Sequence, residues 1–358
     1  MKMKSTQRWV ISNLYSVIYL RHTWTKTPGM SFSRKRMGHM KNKKKSDLSF
    51  SQARTLTLAE QYKRHWPLIA MLSPVLLYYL IFRYAPMSGI ILAFKDFKFN
   101  LGILNSPWAK ENGLGHFIKM FHGIYFWPVF RNTIIIGFYK IIVGFPVPIF
   151  LALLFNEIKN VKFKKAAQTI TYMPYFISWI VLASIVIEVL SPSRGFVNYF
   201  LGLLGVEPQF FVGDPKYFRW VIVFSYVWRN AGYQTIVFLA AMSGINPEQY
   251  EAAEMDGAGR IQRIIHVTIP SIMPTIAIMF IMAMGGIMTD DFDQVYNLLN
   301  SNVMNVGDVI STYTYRVGLE QMNFSYAIAV GLFKNIIALI FLTGSNYISK
   351  KVTDSSLF

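Results

Sequence analysis

Six long apolar stretches, separated by shorter polar ones, organise the chain from residue 66 onward. They run from about Trp66 to Tyr84, Asn132 to Phe155, Ile170 to Leu190, Arg219 to Met242, Val267 to Met288 and Tyr326 to Ile348. A helix needs ~20 predominantly apolar residues to cross a bilayer, and each stretch is near that length. Buried helices of a large soluble protein can also be continuously apolar. Six of them in one chain of this size point instead to membrane spans. The pattern therefore predicts an all-α membrane protein with six transmembrane helices.

Upstream, Trp9 to Leu20 is apolar but broken by Ser and Asn, and it is too short to span. It lacks a small-residue cleavage site, so a cleaved signal peptide is not expected. Residues 1–65 are expected to form a flexible or surface-lying basic extension. Met37 and Met40, just before Lys41 to Lys45, offer later start positions. The expected organisation is that extension, a membrane domain over 66–351 and a short tail over 352–358.

Composition supports the membrane reading. Hydrophobic residues make up 53% of the chain and charged ones only 15%, against roughly a quarter in soluble domains. The 29 Phe, 20 Tyr and 8 Trp suit membrane interfaces. A net charge of +18 could signal nucleic acid or an anionic membrane surface. Residues 1–65 carry most of it, with 15 Lys and Arg against Asp47 and Glu60. No basic stripe is interleaved with stacking aromatics, so nucleic acid is set aside. The absence of cysteine excludes disulfides, thiolate nucleophiles and Cys-ligated metals. The His residues lack ligand spacing, so no metal site is expected.

Charge also orients the spans. With the N-terminus inside, the inner segments 1–65, 156–165, 243–266 and the tail carry 15, four, two and two Lys and Arg. The outer segments 85–131, 191–217 and 289–325 carry five, two and one. The positive-inside rule places both termini in the cytoplasm. The first outer loop holds its own apolar stretch, Met87 to Phe94. It is expected to be interfacial or packed on the outer face, with a seventh short membrane segment as the alternative.

The inner connection from Ser243 to Pro270 is built to fold. Asn246 can cap a helix, Pro247 fits its first position and Gln249 stands three after the cap. Glu248, Glu251 and Glu254 favour the positive end of the helix dipole. Ala252 and Ala253 keep one side slim. Gly257 and Gly259 permit a sharp turn, and Arg260 and Arg263 begin a second amphipathic piece. Pro270 and Pro274 are expected to kink or interrupt the fifth span. On the residues alone this is either an ordinary amphipathic connector or a docking element.

Inside the spans, polar groups are costly and often line a pathway. The fourth stretch carries Trp228, Arg229, Asn230, Tyr233 and Gln234. At helical spacing Asn230, Tyr233 and Gln234 can share a face. Aromatic faces with planar polar groups are how sugars are held, so these residues, with Asp291 and Asn335, are candidate pathway residues. The alternative is that they bind helices together, with Arg229 snorkelling or pairing with an acid such as Asp291. Lys334 and Asn335 are weaker candidates.

The stretch Glu251-Ala252-Ala253, then Gly257, then Val267-Thr268-Ile269-Pro270 resembles the "EAA" loop of binding-protein-dependent ABC importer permeases. Asp256-Gly257-Ala258 is typical of the sugar-importing branch. Ala85 to Phe97, Phe163 to Trp179, Asp308 to Leu319 and Ala329 to Asn335 also resemble permeases of polysaccharide-fragment importers, of the lipoprotein-operon, rhamnogalacturonan and alginate kinds. One departure is Asp291-Phe292-Asp293-Gln294, where that branch often has Gly-Phe-Glu-Gln. The resemblance covers about Tyr84 to Lys351.

The resemblance implies a multi-pass protein of the bacterial inner membrane that imports an oligosaccharide by alternating access. It implies three kinds of partner: a second related permease, two ATPase subunits and an external solute-binding protein. Glu248, Glu251, Ala252, Ala253, Glu254, Asp256, Gly257, Ala258 and Pro270 would then form the coupling surface, within a loop over 244–266. The sequence has no Gly-x-x-x-x-Gly-Lys-Ser/Thr phosphate loop. No cofactor is expected in this chain, and ATP and Mg would sit on the partner ATPase, so the chain is not expected to be an enzyme. An ion-coupled secondary transporter is the alternative; it would be expected to show internal repeats, and none is clear.

Overall fold

The computed structural model describes residues 58–353. The stretch Trp9 to Leu20, the start positions Met37 and Met40, and the tail from 354 lie outside the described residues. The described residues from 69 onward form one compact unit. Its regular elements, among the described residues, are all helices, apart from one isolated antiparallel bridge between Lys95 and Trp108.

Each of the six apolar stretches is helical, but they are not six equal spans. Among the described residues four helices are long and apolar enough to cross a membrane: His65–Phe94, Phe126–Glu157, Arg260–Gly285 and Phe324–Lys351. The third stretch is a pair, Val161–Phe176 and Trp179–Val189, bent by 106°. The fourth lies in a 29-residue helix, Pro215–Ser243, whose run of Arg229, Asn230 and Gln234 lowers its apolarity. By length and apolarity the count is thus four, or five with the bent pair as one span, against the six expected.

Met87 to Phe94 does not form a separate seventh span. It continues the first helix through a short 3-10 stretch, Ser88–Phe94, which packs on the sixth stretch. Pro86 is accommodated by a widened turn just before it, Leu80–Tyr84, in which the Ala85 N–H donates to Leu80 O. Proline lacks the N–H and crowds the carbonyl four residues back, and a π-turn relieves both demands. Pro270 is handled the same way. The π-turn Ile264–Thr268 precedes it, with the Ile269 N–H donating to Ile264 O. Pro274 lies inside the following helix. Of the expected kink or interruption, the interruption is not found: Arg260–Gly285 runs as one helix.

Three buried clusters hold the helices. One joins Ile136, Trp179, Leu182, Phe218, Ile222 and Leu298. A second joins Phe126, Val129, Ile287, Met288, Tyr313 and Val330. The third, Ala152, Phe238, Met242 and Ile272, packs beside the loop after Ser243. The second and fifth stretches come close at Gly137, where an added Cβ would stand 2.4 Å from the Ile287 carbonyl oxygen. Only a residue without a side chain lets these backbones meet.

Candidate functional site

The loop after the fourth helix folds as its local chemistry dictates. Asn246 Oδ1 accepts from the Glu248 N–H at 3.1 Å and Pro247 opens the helix Pro247–Met255. The helix stops in a Schellman motif: the Ala258 N–H donates to Ala253 O and the Gly257 N–H to Glu254 O. Gly257 has φ +80, the left-handed conformation this motif requires. Gly259 then donates its N–H to Gln262 Oε1 and opens the next helical piece. Gln249 does not close a capping box. Its Oε1 accepts from Ser271 Oγ at 3.3 Å instead.

Three side-chain contacts tie this short helix to the base of the fifth stretch. The Tyr250 and Thr268 hydroxyls are 2.9 Å apart, Gln249 meets Ser271, and Arg263 donates to Glu254 at 3.1 Å. The helix is therefore held to the membrane segment and is not a free strap. Its far side is open. Glu248, Glu251, Ala252, Glu254, Asp256 and Gly257 are exposed, and Ala253 and Ala258 are half-buried. Pro270 lies on the membrane-helix side of the joint. Met255 is 88% exposed and Ile261 is 72% exposed. Neither of these apolar side chains was among the expected contacts, because single apolar residues in a polar loop carry no periodic signal.

The polar residues of the fourth helix do not form one site. Arg229 lies over the rings of Trp179, at 4.8 Å, and Tyr175, at 5.3 Å. Its Nε donates to Ile177 O at 3.3 Å. Ile177 is the break between the two halves of the bent pair, so Arg229 braces that bend. Tyr233 stacks on Tyr175 with centroids 3.9 Å apart and planes at 4°. The Asn230 amide donates to Tyr226 O on its own helix. Trp228 lines a separate apolar cavity of about 770 Å³ with Trp220 and Phe224. Asn335 is exposed on the sixth stretch.

Gln234 and Asp291 do come together. They line a cavity of about 340 Å³ with Lys140, Tyr226 and Thr289. Asp291 is bonded not to Arg229 but to Lys140, at 2.8 Å. Its neighbour Asp290 binds Lys334 of the sixth stretch and accepts from the Ser311 N–H at 2.7 Å. Two adjacent carboxylates thus tie the end of the fifth stretch to the second and sixth. Lys140 was not among the expected pathway residues, although an ionisable residue inside an apolar span was the available signal.

Taken together, the apolar helices and the braced loop between two of them define a multi-pass membrane protein of the transport class. The chain belongs to the binding-protein-dependent transport system inner membrane component family, whose pattern matches residues 144–354. Protein LplB of Bacillus subtilis (strain 168) is 40% identical over 296 residues, covering 83% of this chain and 92% of LplB. The polygalacturonan/rhamnogalacturonan transport system permease protein YteP of the same organism is 38% identical, covering 81% and 90%. A chain in the crystal structure of a bacterial ABC transporter involved in import of the acidic polysaccharide alginate matches with TM-score 0.76 at 38% identity, covering 83% of this chain and 99% of that one. A second structure, of a bacterial alginate ABC transporter in complex with an alginate pentasaccharide-bound periplasmic protein, gives TM-score 0.77 at 37% identity, covering 84% and 99%. Family membership decides between importer permease and ion-coupled carrier in favour of the former.

Proposed function

We propose that this chain is the translocating permease of an oligosaccharide importer and that the loop helix Pro247–Met255 is its contact with an ATPase subunit. The observation that carries the coupling role is the three-point tie of that helix to the base of the fifth stretch. A short helix fixed in this way moves the membrane helix when it is pushed, whereas a loose loop absorbs the push. Glu251, Ala252 and Met255 on its open side give a partner cleft an acidic, a slim and an apolar contact. Cargo of the oligosaccharide class follows from the sugar-importing relatives.

The full assembly would hold a second permease, two ATPase subunits carrying ATP and Mg, and an external binding protein. Both termini and the loop 244–266 would face the cytoplasm, as the charge bias supports. Residues 1–65 would be a basic extension on that side.

The test uses the whole importer in membranes. Glu251→Lys reverses an exposed charge, and Gly257→Asp strains the left-handed turn. Both variants are expected to insert and to lose ATPase association and uptake. Normal association and uptake in both would refute the coupling role.

A further inference from the structure

Lys140 lies near the middle of the 32-residue helix Phe126–Glu157. A charge at that depth is costly and must be answered by a partner. The answer is Asp291, 2.8 Å away. The Lys140 side chain is 8% exposed and that of Asp291 is 31% exposed. The ammonium also lies 4.7 Å from the Tyr226 ring centroid. Only one Asp291 oxygen is bonded to Lys140, and Asp291 lines the cavity. The cavity, at about 340 Å³, is within the size of small-molecule sites, roughly 300–1,000 Å³. Its wall combines Tyr226, Phe145 and Phe238 with Gln234, Thr289 and the ion pair. Ring faces beside planar polar groups suit a sugar ring.

We propose that this cavity contacts the sugar during passage, and that the Lys140–Asp291 pair tunes it for neutral glycans against uronates. The inference rests on the oligosaccharide reading above. The pair leaves the cavity with no net formal charge. A neutral sugar brings hydroxyls, which donate to Asp291 and exchange hydrogen bonds with Gln234 and Thr289. A uronate brings a carboxylate, which meets Asp291 as a like charge where solvent screening is weak. It gains Lys140 only by displacing Asp291, and that leaves the Asp291 carboxylate without its cation. Selectivity thus comes from a repulsive element as much as from attraction. The alginate importer and YteP, whose names give uronate polymers as cargo, are relatives at 38% identity, but identity at that level fixes the scaffold, while a few side chains fix the charge of a cavity.

A purely structural ion pair makes a different prediction. It would change stability when broken and leave cargo discrimination alone. The experiment takes the assembled importer in nanodiscs, without binding protein, and reads binding of maltotriose and of trigalacturonate by saturation-transfer NMR. The wild type should bind maltotriose and bind trigalacturonate at least about tenfold more weakly. Asp291→Asn should raise trigalacturonate binding about tenfold by freeing Lys140. The double variant Lys140→Gln with Asp291→Asn leaves no unpaired charge, which guards against misfolding, and should bind the two probes within about twofold of each other. Thermal midpoints report folding in parallel.

The proposal is overturned if trigalacturonate binds the wild type as well as maltotriose does, if neither probe binds, or if discrimination survives both variants. Binding-protein-stimulated ATP hydrolysis is measured on the same samples. If stimulation is intact while discrimination ignores Asp291, only the cavity assignment fails. If no stimulation occurs, the importer reading itself fails.

Discussion

The hydroxyls of Tyr250 and Thr268 stand 2.9 Å apart, joining the loop helix to the π-turn at the base of the fifth stretch. Tyr250→Phe removes this bond and little else. A single hydrogen bond is worth about 1 kcal/mol net, so the thermal midpoint should barely move. Coupling should suffer more than stability: uptake per ATP hydrolysed should fall several-fold, on the order of the equilibrium shift that this energy represents. Parallel ATPase and uptake assays check this. An unchanged ratio would show that the other two ties suffice.

Met255 presents an apolar side chain to solvent at the tip of the same loop. Residues of this kind become anchors when a partner cleft closes over them. Met255→Ser should weaken co-purification with the ATPase about tenfold without altering the amount of permease in the membrane. Pull-down at graded ATPase concentration reads the effect.

Arg229 braces the bend at Ile177. Arg229→Lys keeps the charge but loses the planar stacking on Trp179 and Tyr175. Each cation–π contact is worth about 0.5–2 kcal/mol, so the apparent unfolding midpoint in detergent should drop measurably. Equal midpoints for the variant and the parent would show that the bend stands without the brace.

Gly137 faces the Ile287 carbonyl with no room for a Cβ. Gly137→Ala should force the second and fifth stretches apart at a cost of about 1–3 kcal/mol. The expected result is lower membrane yield and a lower midpoint. Gly331, on the sixth stretch, has open space around it, so Gly331→Ala should be neutral in the same assay and serves as the control.

The helices and the loop were legible because their signals are local. Asn246, Pro247, Gly257 and Gly259 act on neighbours within one or two turns, and periodicity did the rest. The bend between Phe176 and Trp179 was not legible, since Ile177 and Ser178 look ordinary and Arg229, which holds them, is 52 residues away. The cavity was half-legible. Gln234 and Asp291 were singled out, but grouping by helical spacing joined Gln234 to Asn230 and Tyr233, which point into other contacts. Lys140 reaches Asp291 across 151 residues, and no single-helix pattern encodes such a pair.

The π-turns ahead of Pro86 and Pro270 each insert one extra residue into a helical turn. At 3.6 residues per turn, one residue is about 100° of rotation. The turn Ile264–Thr268 therefore sets the angular phase between the loop helix below it and the membrane helix above. Deleting one residue there would turn the far end, with Ile287 and the two carboxylates beyond it, through more than a quarter circle relative to the loop. The length of this joint, independent of its composition, decides which side of the fifth helix a push from the loop presents to Lys140.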